Sequence, residues 1–172
     1  MRNTIKKGDA IRRRINLNEL VTKVARVVRA DAAAYSCEVE TSLTKDLPVI
    51  EGDPVQIQQV LVNLVSNAFD AMRQTPPGQR KVEISTAGDS DGKVRLSVRD
   101  HGTGIRAEVH ERLFDQFFTT KEQGLGMGLA IVRSIVEAHG GEIQAENVAD
   151  GGACFYFTLP VTEENMMAPR SV

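Results

Sequence analysis

The sequence predicts an α/β fold of two layers, in which a mixed, mostly antiparallel sheet of five strands is covered on one face by about three helices. Three stretches carry apolar residues at helical spacing, and five shorter stretches have the pattern of strands. The 172 residues suffice for one domain with a sizeable core. Helices packed on one face of the sheet would bury all the apolar stripes, which favours the two-layer arrangement.

The first three predicted elements are a helix, a strand and a second helix. Asn16 predicts the start of the first helix, because it can cap the chain and Glu19 follows three residues later. A strand is predicted for residues 35–43. Asp53 and Pro54 predict the start of the second helix, since aspartate is a good cap and proline is tolerated in the first turn.

The second half of the chain supplies the remaining elements. Residues 81–100 alternate in two runs around a glycine-containing turn and predict a hairpin. A short helix is expected around residues 107–113, and a longer helix at 127–138, which two glycines close. Residues 142–147 and 153–159 predict the last two strands.

Composition excludes several classes of protein. The formal net charge of −2 argues against a nucleic-acid partner, and the apolar runs are too short for membrane contact. Residues 1–15 are basic and lack the apolar core of a secretory signal, and Cys37 and Cys154 lack the spacing of a metal site. We expect a cytoplasmic protein with a linker or the end of a truncated helix at 1–15, one domain at 16–160 and a tail at 161–172.

The polar side of the second helix has an unusual composition. Six polar residues fall within one narrow sector: Gln56, Gln59, Asn63, Asn67, Asp70 and Gln74. A solvated helix face is the ordinary interpretation, but such a face normally uses Lys and Glu, and asparagine is a poorer helix former. Asn63 and Asn67, one turn apart, therefore suggest carboxamides held for a ligand. An amide oxygen is a suitable neutral ligand for Mg²⁺.

The stretch "RDHGTGI" follows the predicted hairpin. Asp100 ends a strand, and Gly102 and Gly104 follow at a spacing of two residues. An ordinary strand-to-helix turn would also use these residue types. Alternatively, the carboxylate could accept a hydrogen bond from an exocyclic amine, and the glycines would let a flat ring approach the backbone closely.

A run of glycines precedes the last predicted helix. Gly124, Gly126 and Gly128 lead directly into apolar helical residues, where free backbone amides and the helix dipole suit phosphate oxygens. The run lacks the Gly-Lys-Ser/Thr ending of a P-loop, and it does not follow a strand as a dinucleotide fingerprint does. A flexible loop with a helix cap is the alternative interpretation.

The order of four motifs resembles one family. "NLVSNAFDAM", "DHGTG", "LFDQFFTTK" and "GLGMGL" resemble the N box, first glycine box, F box and second glycine box of the catalytic, ATP-binding domain of bacterial two-component sensor histidine kinases. The resemblance covers residues 16–159, and "NAFDAM", "FFTTK" and "EAHGG" look most like oxygen-sensing and nitrogen-regulating kinases. The family fold is an α/β sandwich shared with DNA gyrase and a mismatch-repair ATPase.

The resemblance implies a site for ATP and Mg²⁺. Asn67 would ligate the metal and Asn63 would lie close to the phosphates, so both count as catalytic. Asp100 would bind the adenine amino group, and Gly102 and Gly104 would shape the adenine pocket.

The resemblance further implies a lid over the triphosphate. The aromatic anchors of the lid would be Phe114, Phe117 and Phe118. The lid itself would span residues 119–126, from which Lys121 would reach the γ-phosphate as a further catalytic residue. The residues around the triphosphate would be Gly124, Gly126, Gly128 and Leu129. Thr158 would lie beside the adenine.

The chain departs from the family pattern at two positions. Asp70 stands where some members carry a basic residue, so another cation would have to meet the phosphates. Asn63 stands where the related ATPases carry a catalytic glutamate, and an amide cannot take a proton from water. We therefore expect slow hydrolysis and transfer of the γ-phosphoryl group to another nucleophile.

The family's acceptor is a histidine on a preceding helical hairpin, followed by an acidic residue and then a proline. His101 lies in the first glycine box, His139 lies at a helix end, and His110 precedes Glu111 without a proline after it. We expect the acceptor on a dimerisation domain of the parent protein, whose last helix would end in residues 1–15.

The resemblance has further implications for assembly and partners. We expect a response regulator to receive the phosphoryl group. We expect the parent protein to be a homodimer, which could carry a membrane anchor elsewhere, and the isolated domain to be a monomer. Three alternatives stay open: a non-catalytic ATP-dependent binding module, a stand-alone ATPase, and a serine kinase of the same fold.

Overall fold

The computed structural model describes residues 11–116, residue 118 and residues 128–162. The strands in these ranges are β1 (Arg13–Ile15), β2 (Glu38–Ser42), β3 (Ile50–Gly52), β4 (Lys81–Asp89), β5 (Lys93–Asp100), β6 (Glu142–Asn147) and β7 (Ala153–Pro160). The helices are α1 (Leu17–Ala34), α2 (Pro54–Ala71), α3 (Ala107–His110) and α4 (Gly128–Ala138), and a 3-10 turn spans Pro77–Gln79.

Five strands form the main sheet in the order β2-β4-β5-β7-β6. β2 runs parallel to β4, and the other neighbours are antiparallel. The predicted hairpin of β4 and β5 pairs Val82 with Asp100 at one end and Asp89 with Lys93 at the other. The predicted mixed, mostly antiparallel sheet of five strands is confirmed.

The helices pack on one side of this sheet, and the core lies between the two layers. Along β5, the alternate residues Val94, Leu96 and Val98 are buried under the helices, as a strand period of two requires. The residues between them point to the open face of the sheet.

Both predicted helix caps are present. The Asn16 side chain accepts a hydrogen bond from the Glu19 amide at 3.3 Å. The Asp53 side chain accepts from the Val55 amide at 2.9 Å and from the Gln56 amide at 3.4 Å. These caps satisfy amides of the first turn that have no partner inside the helix.

A second, two-stranded sheet was not predicted. β1 and β3 pair antiparallel, with Ile15 opposite Ile50 and both side chains buried. Val161 forms a bridge to Ile50, and the Thr162 amide donates to the Val49 carbonyl at 3.2 Å. Paired backbone therefore extends beyond the predicted domain limits of 16 and 160 at both ends.

Two predicted elements are shorter than expected. The strand expected at 35–43 begins only at Glu38, because Tyr35 and Ser36 form a turn in which Ser36 has a φ of 50°. The helix expected at 107–113 ends after one turn. Within the described ranges, no helix combines the length and the apolar character that crossing a membrane requires.

Candidate functional site

The carboxylate of Asp100 is the centre of the candidate site. Asp100 ends β5 on the face that the helices cover, and only 2% of the residue is exposed. Its Oδ1 accepts hydrogen bonds from the Gly102 amide at 2.9 Å and from the Ala153 amide at 3.3 Å. Both hydrogen bonds that the described residues donate to this carboxylate end on Oδ1, and none of them ends on Oδ2.

The electrostatics of this carboxylate are unusual. Burial raises the pKa of Asp100 above its ordinary value, although the amides of Gly102 and Ala153 act in the opposite direction. A charge buried with so little compensation costs folding free energy, and such groups concentrate at functional sites. The arrangement suits a ligand that brings a neutral hydrogen-bond donor.

Gly102 brings the end of α2 against the loop that follows Asp100. A side chain at this position would collide with the Ala71 carbonyl oxygen and would lie 3.1 Å from Asp100 Oδ1. Only a residue without Cβ allows the helix end and the loop to approach this closely. The predicted glycine therefore joins two parts of the predicted site.

The polar side of α2 ends at this junction. Asn63, Asn67 and Asp70 are all half-buried on α2. Asn67 lies one turn before Ala71, or about 6 Å along the helix axis. Asn67 and the buried carboxylate therefore lie towards the same end of α2.

Asp70 forms an ion pair with an arginine side chain. Its Oδ1 lies 2.9 Å from Nη2 of Arg73, whose side chain is 72% exposed. The position at which some family members carry a basic residue thus carries an acidic one that pairs with a guanidinium one turn later. Arg73 was not among the residues predicted for the site.

The predicted phosphate site is described only at the start of α4. Gly128 is the first residue of this helix, and Leu129 is half-buried and packs against the core. Phe114 contacts Phe155 edge to face, with ring centroids 6.3 Å apart, and Arg112 stacks on Phe118 at 4.5 Å. The predicted residues outside the described ranges are Phe117, Lys121, Gly124 and Gly126, together with the rest of the lid at 119–126.

Thr158 does not lie at the site. In β7 the buried residues are Ala153, Phe155, Phe157 and Leu159, so the side chain of Thr158 faces the open side of the sheet. It pairs with Arg95, which is five residues, or about 16 Å, from Asp100 along β5. The expectation that Thr158 lies beside the adenine is therefore corrected. The part of β7 next to Asp100 is Ala153, which sequence reasoning missed because it contributes only a backbone amide.

Two of the three histidines make hydrogen bonds near the site. His101 donates from Nε2 to Glu83 at 2.7 Å, and this bond lowers the pKa of the Glu83 carboxyl. His110 donates from Nε2 to the Ala145 carbonyl at 2.9 Å.

His139 is buried and ties α4 to α2. Its Nδ1 donates to the Ile135 carbonyl at 2.7 Å, and its Nε2 accepts from the Asp53 amide at 3.0 Å. These two bonds define a neutral imidazole with the proton on Nδ1. Each of the three histidines thus has a structural partner.

The family comparison matches most of the domain. Residues 52–163 match the model of the histidine kinase-, DNA gyrase B- and HSP90-like ATPases. Among curated proteins, the chain is similar to the sensor protein FixL of Bradyrhizobium diazoefficiens, with 39% identity over 165 residues. This match covers 96% of the chain but 32% of FixL, so the chain spans about a third of that relative.

Solved structures give the same result. The catalytic domain of histidine kinase ThkA is 36% identical, with a TM-score of 0.78 over 90% of this chain and 98% of that one. Full-length ShkA in complex with AMPPNP is 27% identical, with a TM-score of 0.79 over 90% of this chain and 32% of that one. A complex of ThkA with the response regulator protein TrrA is matched at 34% identity and a TM-score of 0.74, over 89% of this chain and 42% of that one.

Proposed function

The chain belongs to the family of histidine kinase-, DNA gyrase B- and HSP90-like ATPases, and on this premise we propose that it is the catalytic domain of a sensor histidine kinase. It binds Mg²⁺-ATP and transfers the γ-phosphoryl group to a histidine on a helical hairpin of the parent protein, for relay to a response regulator. The observation that carries this proposal is the buried carboxylate of Asp100, which has one oxygen engaged by backbone amides and the other available.

Asp100 accounts for binding of adenine. Its Oδ2 would accept a hydrogen bond from the 6-amino group, which is a neutral donor of the kind that a buried carboxylate needs. Gly102 and Gly104 lie in the adjacent loop, where the absence of a Cβ lets the backbone pack against Ala71 and Asn147 beside this carboxylate. AMPPNP, the nucleotide bound to ShkA, carries the same base, which supports this assignment.

Asn67 and Asn63 fit a magnesium ion that ATP itself helps to hold. The described residues contain no group of three or more His, Cys, Asp or Glu side chains that could hold a metal ion. A magnesium ion bound by one carboxamide oxygen, water and phosphate oxygens needs no such group. The ion would supply charge neutralisation at the phosphates, Asn67 would hold the ion, and Asn63 would lie beside the phosphate chain.

The start of α4 accounts for binding of the triphosphate. Gly128 opens a helix of 11 residues, whose first-turn amides and dipole favour an anion. We assign Gly124, Gly126 and Leu129 to the same phosphate region and Lys121 to the γ-phosphate, as the family resemblance implies.

Asn63 on α2 favours transfer of the γ-phosphoryl group over hydrolysis of ATP. Asn63 cannot take a proton from water, so the site lacks the base that an ATPase needs at this position. In transfer, the bond from the γ-phosphorus to the ADP oxygen breaks as a bond to an imidazole nitrogen forms, and ADP leaves. The partners of His101, His110 and His139 in the fold support an acceptor elsewhere in the parent protein.

The complex of ThkA with TrrA supports a response regulator as the next receiver. The cytoplasmic location and the monomeric state of the isolated domain stay predictions, as does the dimeric state of the parent.

Incubation with γ-labelled ATP tests the function. We expect the chain alone to bind ATP, to remain unlabelled and to release phosphate slowly. Addition of the parent's helical hairpin should produce a labelled histidine whose phosphoramidate is lost in acid. Strong labelling of the chain alone would place the acceptor within it, with His110 as the first candidate, and rapid phosphate release would favour an ATPase.

Removal of the metal ligand tests the site. Calorimetric titration of Asn67→Ala should show that the dependence of ATP binding on Mg²⁺ is lost. Gln58→Ala is the matched control, because this carboxamide is exposed on the same helix. An unchanged Mg²⁺ dependence in Asn67→Ala would remove Asn67 from the metal site.

A further inference from the structure

One side chain ties the loop after Asp100 to the sheet. Asn147, the last residue of β6, donates from Nδ2 to the Ile105 carbonyl at 2.8 Å and accepts at Oδ1 from the Ile105 amide at 2.7 Å. This exchange of two bonds reproduces with a carboxamide what two backbone segments do in an antiparallel pair. The loop of residues 101–106 thereby acquires a fixed point at Ile105.

The same carboxamide also fixes Gly104. This glycine has a φ of 80°, and a side chain there would lie 2.8 Å from Asn147 Oδ1. The backbone conformation and the contact both require glycine. Asn147 therefore holds two consecutive residues of the loop that borders the candidate adenine pocket.

The strand end that carries Asn147 also holds the carboxylate. Asn147 pairs with Ala153 in the register of β6 and β7, and the Ala153 amide donates to Asp100 Oδ1. The backbone amide of Ala153 thus helps to position Asp100, and the side chain of its partner Asn147 positions the loop. The spacing between the carboxylate and the loop is fixed by this arrangement.

Resting on the proposed function, we propose that Asn147 is a positioning residue for purine selectivity. It acts through Gly104 and Ile105, and it holds the loop at the distance from Asp100 that allows the 6-amino group to reach Oδ2. Asn147 is itself exposed, so its replacement removes the anchor without opening the core.

The test compares two nucleotides that differ only in the contact to Asp100. Purine riboside triphosphate lacks the 6-amino group of ATP. We expect the wild-type chain to prefer ATP by roughly tenfold or more in calorimetric titration with Mg²⁺, as a hydrogen bond to a charged acceptor allows. Asn147→Ala should weaken ATP binding and reduce this preference to about threefold or less, since the loop no longer aligns the base.

Two further variants test whether the hydrogen bonds of Asn147, and not the size of its side chain, determine the preference. Asn147→Asp keeps the size of the side chain but sets an oxygen against the Ile105 carbonyl, so it should lose the preference as Asn147→Ala does. Glu146→Ala is the control, because its side chain is exposed on the opposite face of β6. This control should keep the wild-type preference.

Amide hydrogen exchange without nucleotide gives an independent measurement. The Ile105 amide should exchange at least about tenfold faster in Asn147→Ala, whereas the Ala153 amide should not change. Equal weakening of both nucleotides, an unchanged preference in Asn147→Ala, or an unchanged Ile105 exchange rate would overturn the positioning role. A wild-type chain that binds neither nucleotide would overturn the proposed function instead, whatever the exchange rates.

Discussion

At the scale of single residues, the burial of Asp100 carries a cost to folding. Its carboxylate is buried, its pKa is raised, and its two hydrogen bonds from the backbone meet the same oxygen. A buried group with an unused acceptor destabilises the unliganded protein. The free energy that this arrangement costs becomes available to a ligand that supplies the missing donor.

The substitution Asp100→Asn tests whether Oδ2 accepts a hydrogen bond from the base. The amide oxygen can keep both backbone hydrogen bonds, and the NH₂ group then replaces Oδ2 and faces the 6-amino group of adenine as a second donor. We expect ATP affinity to fall at least about tenfold and the preference for ATP over GTP to disappear. Competition with a fluorescent nucleotide measures both, with the exposed Asp91→Asn as control. Unchanged ATP affinity would contradict the assignment of the base contact.

The raised pKa of Asp100 predicts the pH dependence of stability. The folded protein holds the carboxyl proton more tightly than the unfolded chain, so the free energy of unfolding falls as pH rises from the ordinary carboxyl pKa through the raised one. Asp100→Asn removes this dependence. In urea unfolding, the variant should gain stability relative to wild type as pH rises through that window, and the difference should then level off. A difference independent of pH would contradict the raised pKa.

His139 should contribute to stability rather than to chemistry. His139→Ala leaves the Ile135 carbonyl and the Asp53 amide without their partner and opens a cavity where the residue was 5% exposed. We expect a loss of about 2–4 kcal/mol in the free energy of unfolding. His110→Ala, at an exposed position, should cost less than about 1 kcal/mol. Equal losses in the two variants would refute the structural role.

Candidate site residues could be predicted from the sequence only where they act through a side chain. Asp100 and Gly102 were predicted as site residues because a carboxylate and a glycine at a strand end are recognisable. Ala153 was not found, because its amide is common to nearly every residue. Thr158 was placed wrongly although Phe155 and Phe157 already fix which face of β7 is buried, so the period of the strand should have decided against it.

At the scale of elements, the two short strands β1 and β3 were not predicted, whereas the longer elements were. β1 and β3 have three residues each, and a period of two cannot be recognised in so short a run. The five longer strands and the three main helices were predicted, because their apolar patterns extend over several repeats. Pairing of β1 with β3 is a contact between distant segments, which local patterns do not encode.

Ile15→Ala tests whether β1 is part of the folded domain. Ile15 is 5% exposed and lies opposite Ile50, so truncation should cost about 2–4 kcal/mol in urea unfolding. Arg13→Ala in the same strand is exposed and should change the free energy of unfolding by less than about 0.5 kcal/mol. If both variants unfold like the wild type, β1 contributes nothing to the domain.

At the scale of the whole molecule, the site is assembled from segments that are far apart in the sequence. The end of α2, the end of β5 and the start of β7 meet at Asp100. A nucleotide bound there would contact several of these segments at once. Its binding should therefore stabilise the domain as a unit.

Thermal unfolding measures this linkage. ATP with Mg²⁺ at about 100 times its dissociation constant should add about 2.7 kcal/mol to the free energy of unfolding. For a domain of this size, that corresponds to a rise in Tm of roughly 5–10 °C. Asp100→Asn, with its lower affinity, should show at most about half of this shift at the same concentration. A wild-type Tm that does not respond to ATP would argue against nucleotide binding.

The order of the main sheet leaves β2 and β6 as its two outer strands. Outer strands offer unpaired backbone groups to other chains and are a common origin of aggregation. Here Glu38 and Glu40 lie along one border of the sheet, and Glu142 and Glu146 lie along the other. Two copies that approached border to border would bring carboxylates together, so the acidic borders disfavour strand pairing between copies of this domain.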